Sequence, residues 1–165
     1  MAMVVAEESR QGRVDEALRF VNVVCVGMVA SLAAFAVAAW FVASGPGALG
    51  PVGPPLPAAL VWLGTAVGVA LLLAAPVVYR KMLERAAVTV RDSERADTIL
   101  ENFRLATLLA FLLREGAAIV GLMLTLLTND PNWCYALAAL ALVAMIWGWP
   151  RGDQLATLLA GNAPG

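Results

Sequence analysis

Four long apolar runs alternate along the chain with segments that are polar or rich in glycine and proline. The first run contains 24 residues without a charge, and the last contains 17 residues. A helix needs about 20 apolar residues to cross the hydrocarbon core of a bilayer, with a lower limit of about 17. The pattern therefore predicts an all-α fold, a four-transmembrane-helix bundle that forms a single domain. The predicted spans are residues 20–43, 58–79, 105–128 and 133–149.

The first two connections differ in composition. Residues 44–57 contain five prolines, four glycines and no charge, which excludes a regular helix or strand. Residues 80–104 form a polar connection that contains most of the basic residues. Within it, Asp92 or Ser93 is a candidate cap for a helix that continues through Glu101 into the third span.

Prolines mark the remaining boundaries. Pro76, near the end of the second run, is expected to kink or end its helix. The residues Asn-Asp-Pro-Asn at positions 129–132 predict a tight turn between the third and fourth helices. Pro150 is expected to stop the fourth helix, which leaves a short tail at residues 150–165.

The basic residues lie almost entirely on one predicted side of the membrane. Ten of the eleven fall in residues 1–19, in the connection 80–104 or in the tail, and the other two connections have none. Because Lys and Arg are enriched in cytoplasmic loops, both termini are predicted to be cytoplasmic. Aromatic side chains, which prefer the membrane interface, fall into two matching belts. The outer belt is Trp40, Phe41, Trp62, Trp133 and Tyr135, and the inner belt is Tyr79, Trp147 and Trp149.

The overall composition supports a bilayer as the main partner of the chain. It is 61% apolar and 14% charged, against about 45–50% and about 25% in soluble domains. Its net charge of −1 provides no basic surface for nucleic acid. The abundance of Ala, Gly and Leu, with one Lys against ten Arg, is typical of a bacterial gene. These features predict a multi-pass protein of the bacterial cytoplasmic (inner) membrane.

The residues that usually perform catalysis or hold metals are scarce. The chain has no histidine and two cysteines, Cys25 and Cys134, so a His/Cys metal site is excluded and no cofactor is expected. The two thiols are predicted to lie near opposite membrane faces, too far apart for a disulfide. No phosphate-binding glycine loop or catalytic triad is present. We therefore do not expect an enzyme.

Arg114 and Glu115 interrupt the third apolar run and are the main candidate site. A charged side chain at bilayer depth costs about 2.5–3.5 kcal/mol, so such residues usually face the interior of a bundle. Glu115 lies 13 residues before Thr128, or about 20 Å at 1.5 Å per residue, which places both charges in the inner half of the bilayer. Adjacent helical residues are about 100° apart, so the two side chains do not face each other.

Two stripes and a set of small residues surround this pair on the third helix. Helical spacing groups Glu101, Arg104 and Glu115 on one side, and Thr107, Arg114 and Gly121 on another. Small side chains let helices approach closely, so Gly116, Ala117 and Gly121 are predicted to be packing positions.

Three interpretations of the pair are open. In the first, Arg114 reaches the inner head groups while Glu115 pairs with an arginine or a backbone donor. In the second, Glu115 binds or relays a proton or cation, with Arg114 or Arg104 tuning it. In the third, the pair forms a site for a lipid head group or a partner subunit.

The segment from Arg114 to Leu127, REGAAIVGLMLTLL, resembles the carboxylate-bearing helix of subunit c of rotary ATP synthases. Glu115, Ala118, Gly121 and Leu122 match its pattern of an acidic residue, small residues and a Gly-Leu step. That resemblance implies proton binding at Glu115. Residues 104–151 also resemble small, uncharacterised bacterial four-helix membrane proteins, which implies a location and a fold but no activity.

The sequence thus predicts a small non-enzymatic membrane protein, an accessory subunit that packs against partner helices or against itself. The alternative is proton or cation translocation through Glu115. Neither the partner nor an ion is identified by any motif in the chain.

Overall fold

A computed structural model describes residues 2–44, 57–88 and 95–150 of the chain. These residues form four α-helices and no strand, which confirms the predicted all-α fold for the described part. Most of the Gly/Pro connection, the candidate caps Asp92 and Ser93, and the tail from position 151 lie outside it. The helices are α1 (Ala2–Ser44), α2 (Ala58–Val88), α3 (Arg95–Thr128) and α4 (Asn132–Trp147).

Three of these helices are long and apolar enough to cross a membrane. The candidate spans are Val14–Ala43, Ala58–Arg85 and Thr98–Thr128. α4 has 16 residues, about 24 Å at 1.5 Å per residue, which is shorter than a hydrocarbon core of about 30 Å. Length and composition thus indicate a membrane protein with three full-length spans and one shorter apolar helix.

α3 is the central helix of the bundle. It packs against each of the other three helices, whereas α1 and α2 hardly contact each other. In its most apolar stretch 44% of residues are buried, against 17% in α1 and 11% in α2. The part of α3 that carries Arg114 and Glu115 therefore has protein on three sides, where α3 meets α1, α2 and α4.

α2 continues without a break through Pro76 to Val88, so this proline does not end the helix. Proline removes a single backbone hydrogen bond from a helix. Ending the helix at membrane depth would instead expose several backbone groups to hydrocarbon, each at a cost of several kcal/mol. Continuing the helix is the less costly solution.

Much of the predicted polar connection 80–104 is helical, because α2 extends beyond Tyr79 and α3 begins at Arg95. The helix that was expected to run through Glu101 into the third span is confirmed. The extensions pack around a small apolar cluster that includes Ala17 of α1, Leu83 of α2 and Phe103 of α3. This packing provides a reason for the helices to continue past their apolar runs.

The predicted turn between α3 and α4 is confirmed. Asn129 adopts a left-handed conformation with φ of 57°, which Asn tolerates better than most residues. Its N–H donates to the Thr125 carbonyl at 2.8 Å, and the Asp130 carboxylate accepts a hydrogen bond from the Asn132 N–H at 3.0 Å. α4 ends at Trp147, before Pro150, as expected.

The two cysteines and several aromatic side chains make contacts within the bundle, while the two aromatic belts stay a prediction. Cys25 and Cys134 are both buried and free. The rings of Trp62 and Trp133 meet edge-to-face at 6.3 Å, which brings the first turns of α2 and α4 together at one end of the bundle. Trp149 packs near Phe111 with ring centroids 6.1 Å apart.

Candidate functional site

The side chains of Arg114 and Glu115 point to different neighbours of α3. The carboxylate of Glu115 lies 2.5 Å from the hydroxyl oxygen of Ser31 on α1, and it shares the single proton of that hydroxyl with the Met28 carbonyl, which lies at 2.7 Å. Its partner is therefore a neutral hydroxyl, and neither an arginine nor a backbone donor as one interpretation of the sequence expected. The angular separation of adjacent helical residues explains why the neighbouring arginine is not the partner.

Arg114 is directed to the side of α3 that meets the end of α4. Only 7% of the residue is exposed, and its guanidinium lies 5.3 Å from the ring centroid of Phe111. Among the described residues, its Nε and Nη1 have no hydrogen-bond partner. Arg114 is thus a buried cation with unused donors.

Gly148 makes room for this guanidinium. A methyl group at position 148 would overlap Cζ and both Nη atoms of Arg114. Gly148 itself has ordinary backbone angles, φ −90° and ψ 18°, so its importance is the missing side chain. The missing side chain of Gly148 therefore leaves the space that the guanidinium of Arg114 occupies.

A pocket of about 140 Å³ opens beside Arg114, between α2, α3 and the end of α4. Its lining includes two arginines, a tyrosine and a threonine, and none of the described residues that line it carries a carboxylate. Arg80 is exposed at its surface, whereas Arg114 and Thr107 are buried. The pocket is therefore positively charged. The lining residues that matter here are Pro76, Tyr79, Arg80, Thr107, Arg114 and Gly148.

The side chains of Thr107 and Tyr79 both line the pocket. The Thr107 hydroxyl donates a 2.8 Å hydrogen bond to the Phe103 carbonyl within α3. Since that bond uses its only proton, the Thr107 oxygen remains available as an acceptor. Thr107 and Arg114, which helical spacing placed on one stripe, therefore line the same pocket.

The other two candidate polar residues lie elsewhere on α3. Arg104 is half-buried, with its guanidinium 5.8 Å from the ring centroid of Phe20 on α1 and its Nε without a partner among the described residues. Glu101 is exposed. Arg104 and Glu115 both meet α1 at different heights, so the predicted stripe is a contact with α1.

The three predicted packing positions are not equivalent. Gly121 lies directly on α4, where an added Cβ would be 2.9 Å from the carbonyl oxygen of Trp133. Ala117 is fully buried. Gly116 is more open, and an added Cβ there would meet only the side chain of Leu71 at 3.4 Å. Gly121 is therefore the position that requires the absence of a side chain.

Sequence reasoning missed Ser31, Gly148, Tyr79 and Arg80 as members of these polar sites. Ser31 carried a usable signal, because it is the one hydroxyl-bearing residue in the apolar run 20–43. Gly148 carried none, because its role depends on a contact with a residue 34 positions away. Within the described residues, no group of three His, Cys, Asp or Glu side chains is placed to hold a metal ion.

Comparison with protein-family models, with curated proteins and with solved structures finds no match to this chain. The two resemblances noted in the sequence therefore stay predictions.

Proposed function

We propose that this chain is a non-enzymatic integral membrane protein whose helices pack against other transmembrane helices, of partner subunits or of further copies of itself. The single observation that carries the proposal is an apolar face of α3 that no other described helix covers. We further propose that it lies in the bacterial cytoplasmic membrane with both termini in the cytoplasm, as the basic residues predict.

The uncovered face of α3 lies between the sides that meet α1 and α2. Because those two helices hardly contact each other, six large apolar side chains of α3 stay between 39% and 54% exposed. They recur at steps of three, four and seven residues, which places them on one side of a helix. This side is Leu105, Leu109, Leu112, Ile119, Met123 and Leu127.

Small residues on α3 and on α1 suit helix–helix contact. Gly116 lies within the uncovered face of α3, close to Leu112 and Ile119 in helical projection. On α1, Gly27 has no atom within 4 Å of an added Cβ, and the nearby Ala30 and Ala34 are exposed. Helices associate in membranes through such small residues, which permit close backbone approach.

Cross-linking tests the proposal. We expect Leu112→Cys on the uncovered face to form a cross-link to a second copy or to a partner subunit in native membranes. Leu73→Cys is the control, because Leu73 is 67% exposed on α2 and projects away from α3 in helical projection. The wild type is a second control, since both native thiols are buried. Equal cross-linking at both positions, or none at either with a monomer in mild detergent, would contradict the proposal.

The orientation is tested separately. A cysteine at Lys81, which is exposed on α2 just beyond the span 58–79 predicted from the sequence, should react with a membrane-impermeant reagent only after the cells are opened. Labelling of Lys81→Cys in intact cells would reverse the proposed topology.

A second candidate function is proton or cation binding at Glu115. The observation that favours it is that this half-buried carboxylate meets the Ser31 hydroxyl and not the guanidinium of Arg114. The carboxylate is therefore free of a direct ion pair among the described residues. We expect Glu115→Gln to abolish proton or cation flux in liposomes while Glu101→Gln, a change at an exposed carboxylate of the same helix, leaves it intact. Absence of flux in the wild type would remove this candidate.

A further inference from the structure

We propose that the pocket between α2, α3 and the end of α4 binds a phosphate group, presented either by a phospholipid head group or as free phosphate. This inference is independent of the helix-packing function, because it concerns the opposite, enclosed side of α3. Its basis is the buried guanidinium of Arg114, which is directed into the pocket with unused donors.

Arg114 needs a partner that its surroundings do not provide. Only 7% of Arg114 is exposed, so the residue is 93% buried. Its Nε and Nη1 form no hydrogen bond with any described residue. Buried charges are normally paired, because an unpaired charge in an apolar environment loses its solvation without compensation. The Phe111 ring at 5.3 Å offsets only part of that loss.

The chemistry of the pocket selects an oxyanion. A guanidinium presents planar N–H groups that match carboxylate and phosphate oxygens in a bidentate arrangement. Arg80 adds a second positive charge at the exposed side of the pocket, and within the described part of the chain no carboxylate lines it. Two arginines favour an oxyanion that offers two or more oxygens to N–H donors, which a phosphodiester head group and inorganic phosphate both do.

The size and depth of the pocket agree with this occupant. Its volume is about 140 Å³, close to that of cavities of about 150 Å³ that admit a benzene-sized molecule. Arg114 lies 14 residues before Thr128, or about 21 Å along the helix, and thus about 9 Å from the boundary of a 30 Å core. Arg80 lies at the end of the apolar run of α2. The pocket therefore reaches from lipid head-group depth to the buried arginine.

Binding can be measured on the full chain in a nonionic detergent. The probes are dihexanoyl phosphatidylglycerol, dihexanoyl phosphatidylcholine and inorganic phosphate, each titrated calorimetrically. We expect one saturable site per chain for phosphatidylglycerol. Arg114→Gln should weaken it at least about tenfold, the effect of losing one charge-assisted bidentate contact. Lys81→Gln is the matched control, because Lys81 is the exposed neighbour of Arg80 but does not line the pocket.

Two further variants keep the test decisive if Arg114→Gln fails to fold. Gly148→Ala should weaken binding while every charge is retained, because the added methyl displaces the guanidinium. Arg80→Gln removes an exposed charge at low risk to folding and should weaken binding relative to Lys81→Gln. Loss of phosphatidylglycerol binding in these two variants supports the proposal.

The other outcomes distinguish a phospholipid head group from free phosphate as the ligand, or they overturn the proposal. If inorganic phosphate binds with the same dependence on the variants and competes with the lipid, the site recognises the phosphate group itself. Binding of the lipid alone identifies a head-group site. The proposal is overturned if no probe saturates, or if Arg114→Gln, Gly148→Ala and Arg80→Gln each bind phosphatidylglycerol as tightly as Lys81→Gln.

Discussion

Gly121 of α3 lies against the backbone of Cys134 at the first turn of α4. A Cβ at position 121 would be 3.0 Å from the Cα of Cys134 and 2.9 Å from the carbonyl oxygen of Trp133. These are backbone atoms of a packed helix, which cannot move aside as the end of a long side chain can. The turn at residues 129–131 therefore places α4 so close to α3 that only glycine fits at position 121.

This contact predicts that Gly121→Ala destabilises the protein while Gly116→Ala does not. The methyl at position 121 would push α3 and α4 apart, at a cost of about 1–3 kcal/mol for overpacking. At position 116 it would make an ordinary contact with Leu71, and alanine favours a helix over glycine by about 1 kcal/mol. Unfolding in mixed detergent micelles, followed by circular dichroism, measures both. Equal effects of the two changes would show that the contact with α4 is loose.

Thr125 has a predicted role at the start of α4. Its hydroxyl accepts a 3.2 Å hydrogen bond from the Cys134 N–H, and Pro131 offers no side-chain cap to α4. Thr125→Val keeps the shape but leaves that buried N–H unpaired, so the free energy of unfolding should fall by about 1–3 kcal/mol. Thr65→Val is the control, since the Thr65 hydroxyl bonds only to the Val61 carbonyl of its own helix. A Thr125→Val protein as stable as the control would contradict this role.

Trp149 attaches the segment after α4 to α1. Its indole N–H donates a 3.1 Å hydrogen bond to the side-chain oxygen of Asn22. Trp149→Phe should lower the free energy of unfolding by about 1 kcal/mol through loss of this bond, and more if packing against Phe111 changes. Trp147→Phe should have little effect, because Trp147 is 84% exposed. A larger loss in the free energy of unfolding for Trp147→Phe than for Trp149→Phe would contradict this prediction.

The Ser31–Glu115 hydrogen bond predicts a measurable coupling between α1 and α3. Ser31→Ala removes the donor from a half-buried carboxylate, and Glu115→Ala removes the acceptor. Because the two residues bond directly, their effects on the free energy of unfolding should be non-additive, with a coupling of about 1 kcal/mol. A double-mutant cycle measures it. Additive effects would mean that the carboxylate finds another partner or is hydrated.

Much of the fold could be predicted because its signals are local. The apolar runs, the turn at residues 129–132 and the helix continuing through Glu101 each depend on neighbouring residues. The prediction for Pro76 was incomplete for the same reason. The effect of proline on its own helix is the loss of one hydrogen bond. The length of α2 depends instead on the surrounding hydrocarbon and on the packing of Leu83 beyond the apolar run.

The candidate site was predicted in part. Helical spacing correctly separated Arg114 from Glu115, and it identified Gly121 as a residue of the packed face. It could not say which helix each side would meet. The partner of Glu115 is 84 positions away at Ser31, and no pattern within a single helix encodes that distance.

Local chemistry thus accounts for the helices, their apolar length and the angular separation of the charges on α3, because backbone hydrogen bonding and helical periodicity act between near neighbours. Only the packing of the helices decided that Glu115 meets a serine and that Gly148 leaves room for the guanidinium of Arg114. It also decided that two arginines line one pocket with no acidic side chain among the described residues that line it. Those contacts join residues far apart in the chain, and they form because α3 packs against three other helices at the same time.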